Sequence, residues 1–445
     1  MQTRPINDEA LFKPILFTGK KFYLTVAILS AIVIWAAFIW IWQLWHGLGV
    51  TGLNRSVFWG VYITNFVFFI GVSHAGTLIS AILRLSRAEW RRSITRMAEV
   101  ITVLVLFFGV ANVIIDMGRP DRLLNVIKHG HFSSPLLWDV CSISTYLTAS
   151  TIYLFLPLIP DIALLRDRVS GWRKKLYTFL SLNWQGTEEQ VKRLQKAIGI
   201  MAVAVIPIAV SVHTVVSYVF AMTVQPMWHS AIFGPYFVVG AIFSGIAAII
   251  TGMAIIRKVY HLEDYLKPIH FNNLGILLLV MTLLWFYFTF GEYLTTWYGH
   301  EPREISVWQS KVFGRFAPLF WGMFIFCFVI PFSLLCRKKT RTITGTLIAS
   351  IAVNLGMWLE RITIVVPSLS NPRLPYPRGI YNPTLVEFSI TAGCFALFIL
   401  LYMVFTKFFP IVSVWEIQEG REKALTETTA RIRTYLPGPT TAETE

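Results

Sequence analysis

Asp116, Asp139 and His213 sit in this sequence where proton-exchanging side chains are expensive, each bordering or interrupting a long apolar run. An ionisable group inside a bilayer costs at least about 2.5–3.5 kcal/mol, which makes each a candidate for function. Asp116 closes a run in VIIDMGRPDR, Asp139 opens one in SPLLWDV, and His213 lies within one in SVHTVVSY. His229, Glu292, Glu360, Arg361 and Glu387 occupy similar positions, and His74 in GVSHAGTLISAILRL lies deeper. Half-buried carboxylates and imidazoles can hydrogen-bond a ring oxygen and accept a proton, because desolvation moves a carboxyl toward neutrality. Each residue also has a plainer role. Asp116 suits a turn around Gly118-Arg119-Pro120, or an ion pair with Arg119 or Arg122. Asp139 suits a helix N-terminus, where the dipole favours negative charge, and His213 an interhelical hydrogen bond. Glu360 and Arg361 suit a buried structural pair, and His229, Glu292 and Glu387 suit interface positions. His74 suits either helix packing or a proton route toward the cytoplasm.

The elements that must position these groups are membrane helices. Of 445 residues, 55% are hydrophobic and 14% charged, too little charge to cover a soluble protein of this length. The apolar residues come in runs of roughly 20 or more, enough to cross a bilayer at about 1.5 Å per residue. Ten spans are predicted near 22–46, 57–83, 98–115, 136–159, 197–222, 232–256, 272–295, 316–336, 342–366 and 386–409, an all-α integral membrane protein. Of the Lys and Arg residues, 29 fall on the side of the termini and nine on the other, with Arg361 inside a span. Both termini are therefore expected in the cytoplasm, with the chain in a bacterial inner membrane. The net charge of +15 is spread over short loops, which fits topology rather than nucleic-acid binding. The 160–196 loop, with Trp172, Leu176 and Trp184, is expected to lie along the inner surface as an amphipathic segment. Beyond Glu416 the tail turns polar and ends in LPGPTTAETE, which reads as a frayed terminus. SVFWGVYITNFVFFIG at 56–71 aligns without gaps onto SAIFGPYFVVGAIFSG at 230–245, either a parallel internal repeat or convergent packing glycines.

By helix rise, His213 lies about 14 Å from the outer end of its span and the carboxylates are shallower still. A shallow cluster suggests a pocket that opens outward and admits a membrane-soluble reactant, which points to a quinone. Asp116 and Asp139 are expected to line that pocket, with His213 as a third member and Arg119 and His74 as further contacts. His74 is placed about 25 Å from the outer end of span 2, so it and His213 differ by about 10 Å in depth. A b-type haem needs two imidazoles at one level, so haem is not expected. The cysteines Cys141, Cys327, Cys336 and Cys394 have no CxxC spacing, so no zinc site or iron–sulfur cluster is expected in this chain.

The segments SHAGTLISAILRL, MGRP, SPLLWDV with STY after it, SVHTVVS, WHSAIFGPYFVVGAIFSG and GMWLER resemble the NrfD/polysulfide reductase membrane-subunit family. Within it, the chain is more similar to the quinol-interacting membrane subunits of alternative complex III. The resemblance implies two four-helix bundles, 57–222 (spans 2–5) and 223–366 (spans 6–9). A first span with its outer loop (22–56) and an outer loop with the tenth span (367–410) stand alongside, between cytoplasmic tails 1–21 and 411–445. It also implies an extracytoplasmic iron–sulfur subunit as partner, with molybdopterin-type or multihaem cytochrome subunits and other membrane subunits. Two positions depart from the pattern: Asp116 stands where a His precedes MGRP, and Val219 where an Asp follows the SVHT-like motif.

The function expected is a quinone-reactive anchor subunit of a respiratory oxidoreductase, exchanging electrons with that partner. The alternatives are a structural or proton-conducting paralogue, to which Val219 is relevant, and a secondary transporter. Against the transporter stand the parallel repeat and the lack of Pro-broken helix pairs at the midplane.

Overall fold

The computed structural model describes residues 9–374 and 379–435. Ten helices among them are long and apolar enough to cross a membrane: α1 (Lys20–His46), α2 (Val61–Leu85), α3 (Thr95–Asp116), α4 (Pro135–Arg166), α5 (Glu188–Ala221), α6 (Phe233–Val259), α7 (Pro268–Gly299), α8 (Ala317–Leu335), α9 (Ile343–Ser370) and α10 (Leu385–Phe408). Each coincides with a predicted span. An even number of crossings returns the chain to its starting side. Accordingly Lys407 Nζ, at the end of α10, donates to the carbonyls of Pro14 and Phe17 at 2.5 and 2.9 Å, just ahead of α1. We call this side the terminal face and the other the loop face.

The packing centre is α2, whose residues Val61–His74 are all buried. It packs against α3, α5, α6 and α9. Spans α2–α5 contact one another in sequence order, α6–α9 do the same, and α6 lies against both α2 and α5. Two glycines set these approaches. A Cβ at Gly76 would meet the Ala98 carbonyl oxygen of α3 at 2.0 Å, and one at Gly240 would meet Arg361 Nη2 of α9 at 2.9 Å. α1 packs along α10 and turns Ile34, Trp35 and Phe38 outward, as a helix bathed in lipid would.

One sequence expectation needs correction on the terminal face. The 160–196 segment is not one loop: α4 runs to Arg166, a short helix covers Trp172–Leu180, and α5 begins at Glu188. Thr187 caps α5 by accepting from the Gln190 backbone N–H, with Glu188 and Glu189 in the first turn where the dipole favours acids. Trp172 and Phe179 of the short helix are exposed. The polar tail beyond Glu416 continues a helix, α11, that spans Val414–Tyr435, and LPGPTTAETE, expected to fray, lies outside the described residues. The buried Asp161 carboxylate of α4 holds its start, accepting from the backbone N–H groups of Val414 (3.1 Å) and Trp415 (2.8 Å). Asp161 is itself paired with Arg96. Glu416 is buried among arginines, bonded to Arg84 and 3.2 Å from Arg91, while Arg92 Nη1 donates to its carbonyl oxygen at 2.8 Å.

Candidate functional site

Asp116 is the last residue of α3, at the loop face. Its Oδ1 is buried and has no hydrogen-bond partner among the described residues. Around it, Tyr62 of α2 donates to Gln43 Oε1 of α1 at 2.6 Å, and Gln43 Nε2 reaches the Ile115 carbonyl at 3.5 Å. Glu387 of α10 is its charged neighbour, but that acid is fully engaged. Glu387 accepts from the backbone N–H of Gly52 (2.8 Å) and Thr384 (2.9 Å) and from the Tyr381 hydroxyl (2.6 Å). It fastens the 47–60 loop to the start of α10. Arg119 turns away and forms an exposed pair with Asp121 at 3.2 Å, so Asp116 keeps no arginine partner in this turn.

Asp139 lies in the first two turns of α4, again at the loop face. Its Oδ1 is likewise buried without a hydrogen bond to any described residue. Among the described residues, no hydrogen bond or ion pair joins Asp116 to Asp139 or either one to His213.

His213 is fully buried on α5 and rests against His74 of α2, their ring centroids 4.4 Å apart. The expected 10 Å difference in depth is therefore wrong, and the argument against haem drawn from it falls as well. Counting residues from span ends treats those ends as level. Here α2 begins below a segment whose Ser56 and Val57 are already buried. Because Tyr62 neighbours Asp116 and His74 is 12 residues further along the same helix, the histidine pair lies about 18 Å from the Asp116 level. His74 directs Nδ1 to the Ile70 carbonyl (3.2 Å) and Nε2 to that of Ala209. Both ring nitrogens of His213 lack hydrogen-bond partners among the described residues. Among the described residues, no three His, Cys, Asp or Glu side chains gather as around a metal ion.

Other ionisable groups, not among the residues expected at the site, are buried as well. Glu99 of α3 accepts from Ser80 Oγ at 2.6 Å, and Lys311, on the helix Pro302–Val312, is buried beside Glu292 and Glu304. Glu99 in RMAEVITVL and Asp161 in LIPDIALL carry the same signal as Asp116, an acid bordering an apolar run. Glu360 and Arg361 do pair with each other, at 2.9 Å, and Trp285 Nε1 donates to Glu360 at 2.6 Å. On the loop face a cleft of about 760 Å³ is lined by Gln309, Phe313, Arg315, Asn371 and Ile380, among others.

Ten apolar helices with ionisable groups at their ends and seams define a multi-pass helical membrane protein. Residues 49–372 match the family described as polysulphide reductase, NrfD, and the chain belongs to that family. It is similar to a putative dimethyl sulfoxide reductase membrane subunit of Halobacterium salinarum, with 24% identity over 91% of this chain and 95% of the relative. A selenate reductase subunit of Mesobacillus selenatarsenatis is 24% identical over 88% and 94% of the two chains. The Hdr-like menaquinol oxidoreductase integral membrane subunit of Archaeoglobus fulgidus is 22% identical over 93% and 99%.

Proposed function

We propose that this chain is the quinone-reactive membrane subunit of a multisubunit respiratory oxidoreductase. In this reading quinol binds near the loop face, at the ends of α3 and α4. The observation that carries it is the pair of buried carboxylate oxygens there, Asp116 Oδ1 and Asp139 Oδ1, that lack a protein partner. A buried acceptor without a donor is costly, and the hydroxyls of a quinol are donors of the right kind. Oxidation of quinol to quinone releases two protons and two electrons. The carboxylates take the protons, and the electrons pass to an iron–sulfur subunit on the loop face; reduction of quinone runs the same steps backward. The Lys and Arg asymmetry supports a cytoplasmic terminal face and an extracytoplasmic loop face in an inner membrane. The cleft at Gln309, Arg315 and Asn371 is the surface we assign to the partner. The relatives support the assembly: two are reductase subunits and one is a menaquinol oxidoreductase membrane subunit.

In the purified complex, Asp116→Asn and Asp139→Asn are expected to lower quinol turnover by at least about tenfold each, since a positioned acid–base group contributes about 10²–10⁴. Undiminished turnover in both variants would overturn the site. Quenching of the lone chain's tryptophan fluorescence by added quinone separates this reading from an inert anchor, which would give none.

A further inference from the structure

The terminal face carries a cationic corner for which the described residues supply no counter-charge. It lies where the short helix Trp172–Leu180 meets the end of α10 and the start of α1. Tyr177 holds the short helix there: it is buried, and its hydroxyl donates to the Phe408 carbonyl at 2.8 Å. The Trp172 ring lies 6.0 Å from that of Phe408. Arg173, one turn before Tyr177, places its guanidinium 5.4 Å from the Phe408 ring and 5.9 Å from the Trp172 ring. Its cationic neighbour is Lys407, whose ammonium is 4.7 Å from the Phe22 ring of α1. Lys174 and Lys175 follow on the exposed side.

Three features mark this corner as waiting for an anion. First, Arg173 and Lys407 repel each other, and among the described residues neither forms an ion pair. Nearby arginines are treated differently, since Glu416 pairs with Arg84 and Arg91 and Asp161 with Arg96. The acid near Lys174, Asp167, is paired with Arg166 at 3.0 Å. Second, donors are left over. Lys407 gives two of its three N–H groups to the Pro14 and Phe17 carbonyls, and the third has no acceptor among the described residues. The Arg173 guanidinium donates to none of them. Third, Arg173, Lys174 and Lys175 crowd the first turn of a helix that has no acid there and no side-chain cap, although the dipole disfavours cations at that end.

The surroundings decide which anion fits. Trp172 and Phe179 are exposed, and just past the corner α1 turns Tyr23, Leu24 and Ile28 outward. Exposed aromatic rings beside bases, at the end of a lipid-facing span, match the headgroup boundary of a bilayer. We propose that this corner binds the headgroup of an anionic phospholipid in the terminal-face leaflet, with its phosphodiester between Arg173 and Lys407 and its acyl chains along Tyr23, Leu24 and Ile28. The guanidinium fork suits two phosphate oxygens, and Lys407 supplies its remaining N–H. A choline headgroup would bring a further cation into the cluster, so the site selects against zwitterionic lipid. No covalent bond forms or breaks, and the site is independent of the quinol reading.

The test incubates the full chain in uncharged detergent with equal amounts of phosphatidylglycerol and phosphatidylcholine. The protein is captured on resin and its bound lipid quantified by mass spectrometry. Wild type is expected to enrich phosphatidylglycerol at least about tenfold, since each base near an anionic headgroup contributes about fivefold. Arg173→Gln should lower the enrichment by about fivefold, and Lys174→Gln combined with Lys175→Gln by a similar or larger factor. Arg173→Lys should keep most of it. Lys192→Gln removes one exposed charge elsewhere on the terminal face and should change nothing. Equal retention of the two lipids by wild type would overturn the proposal, as would an equal loss in Lys192→Gln and Arg173→Gln. Full displacement of the lipid by excess inorganic phosphate would also overturn it, by showing a site for a soluble anion.

Discussion

Lys311 shows how much a single buried charge depends on its surroundings. Burial pushes its ammonium down to about 8, against the upward pull of Glu292, Glu304 and Glu360. An unfolded chain keeps that proton up to about 10.4, so between the two values the unfolded state binds more protons and stability rises with pH. In detergent, the wild-type melting temperature should gain roughly 2 °C from this group as the pH rises from 8 to 10. Lys311→Met should lose that gain, and an equal rise in both proteins would contradict the assignment. At this scale the sequence revealed which residues were out of place and not what they touched. Asp116 in VIID and Glu387 in LVEF read alike as acids beside apolar runs. The structure separates them: Glu387 accepts four hydrogen bonds, while Asp116 keeps a buried oxygen free of any.

Among the elements, α11 depends most on contacts distant in sequence. By composition its residues are mostly polar, 422–429 are exposed, and nothing in the composition predicts a docked helix. Asp161 caps it and Glu416 anchors it. Burial pushes Glu416 up, but the guanidiniums of Arg84, Arg91, Arg96 and Arg92 outweigh this and hold its carboxyl below the usual carboxylate range. A lowered carboxyl contributes stability above its unfolded range and loses it as pH falls through the folded value. Glu416→Gln should therefore free α11, because breaking a buried pair from one side costs about 3–5 kcal/mol. Backbone amides of 417–429 should exchange much faster in the variant at neutral pH, and unchanged protection would show that the anchor lies elsewhere. The start of α5 was, by contrast, written locally in TEEQ at 187–190, a capping sequence nine residues ahead of the apolar run.

For the whole molecule, the orientation can be tested directly. In a background of Cys141→Ser and Cys336→Ser, the two exposed cysteines, Phe132→Cys should react with an impermeant maleimide added to intact cells. Lys174→Cys, on the terminal face, should not. The reverse pattern would place the proposed partner on the wrong side of the membrane. The ten spans, their all-helical class and the return of both ends to one face were determined by the sequence alone. They depend on hydrophobic length and on the cost of unpaired backbone in lipid, both of which are properties of short stretches of chain. Which polar groups meet was decided only by the tertiary structure. The height at which each helix sits and the side it turns inward follow from packing between distant segments. For that reason His74 and His213, placed far apart by counting residues, lie in contact, and Asp116 lies well away from both.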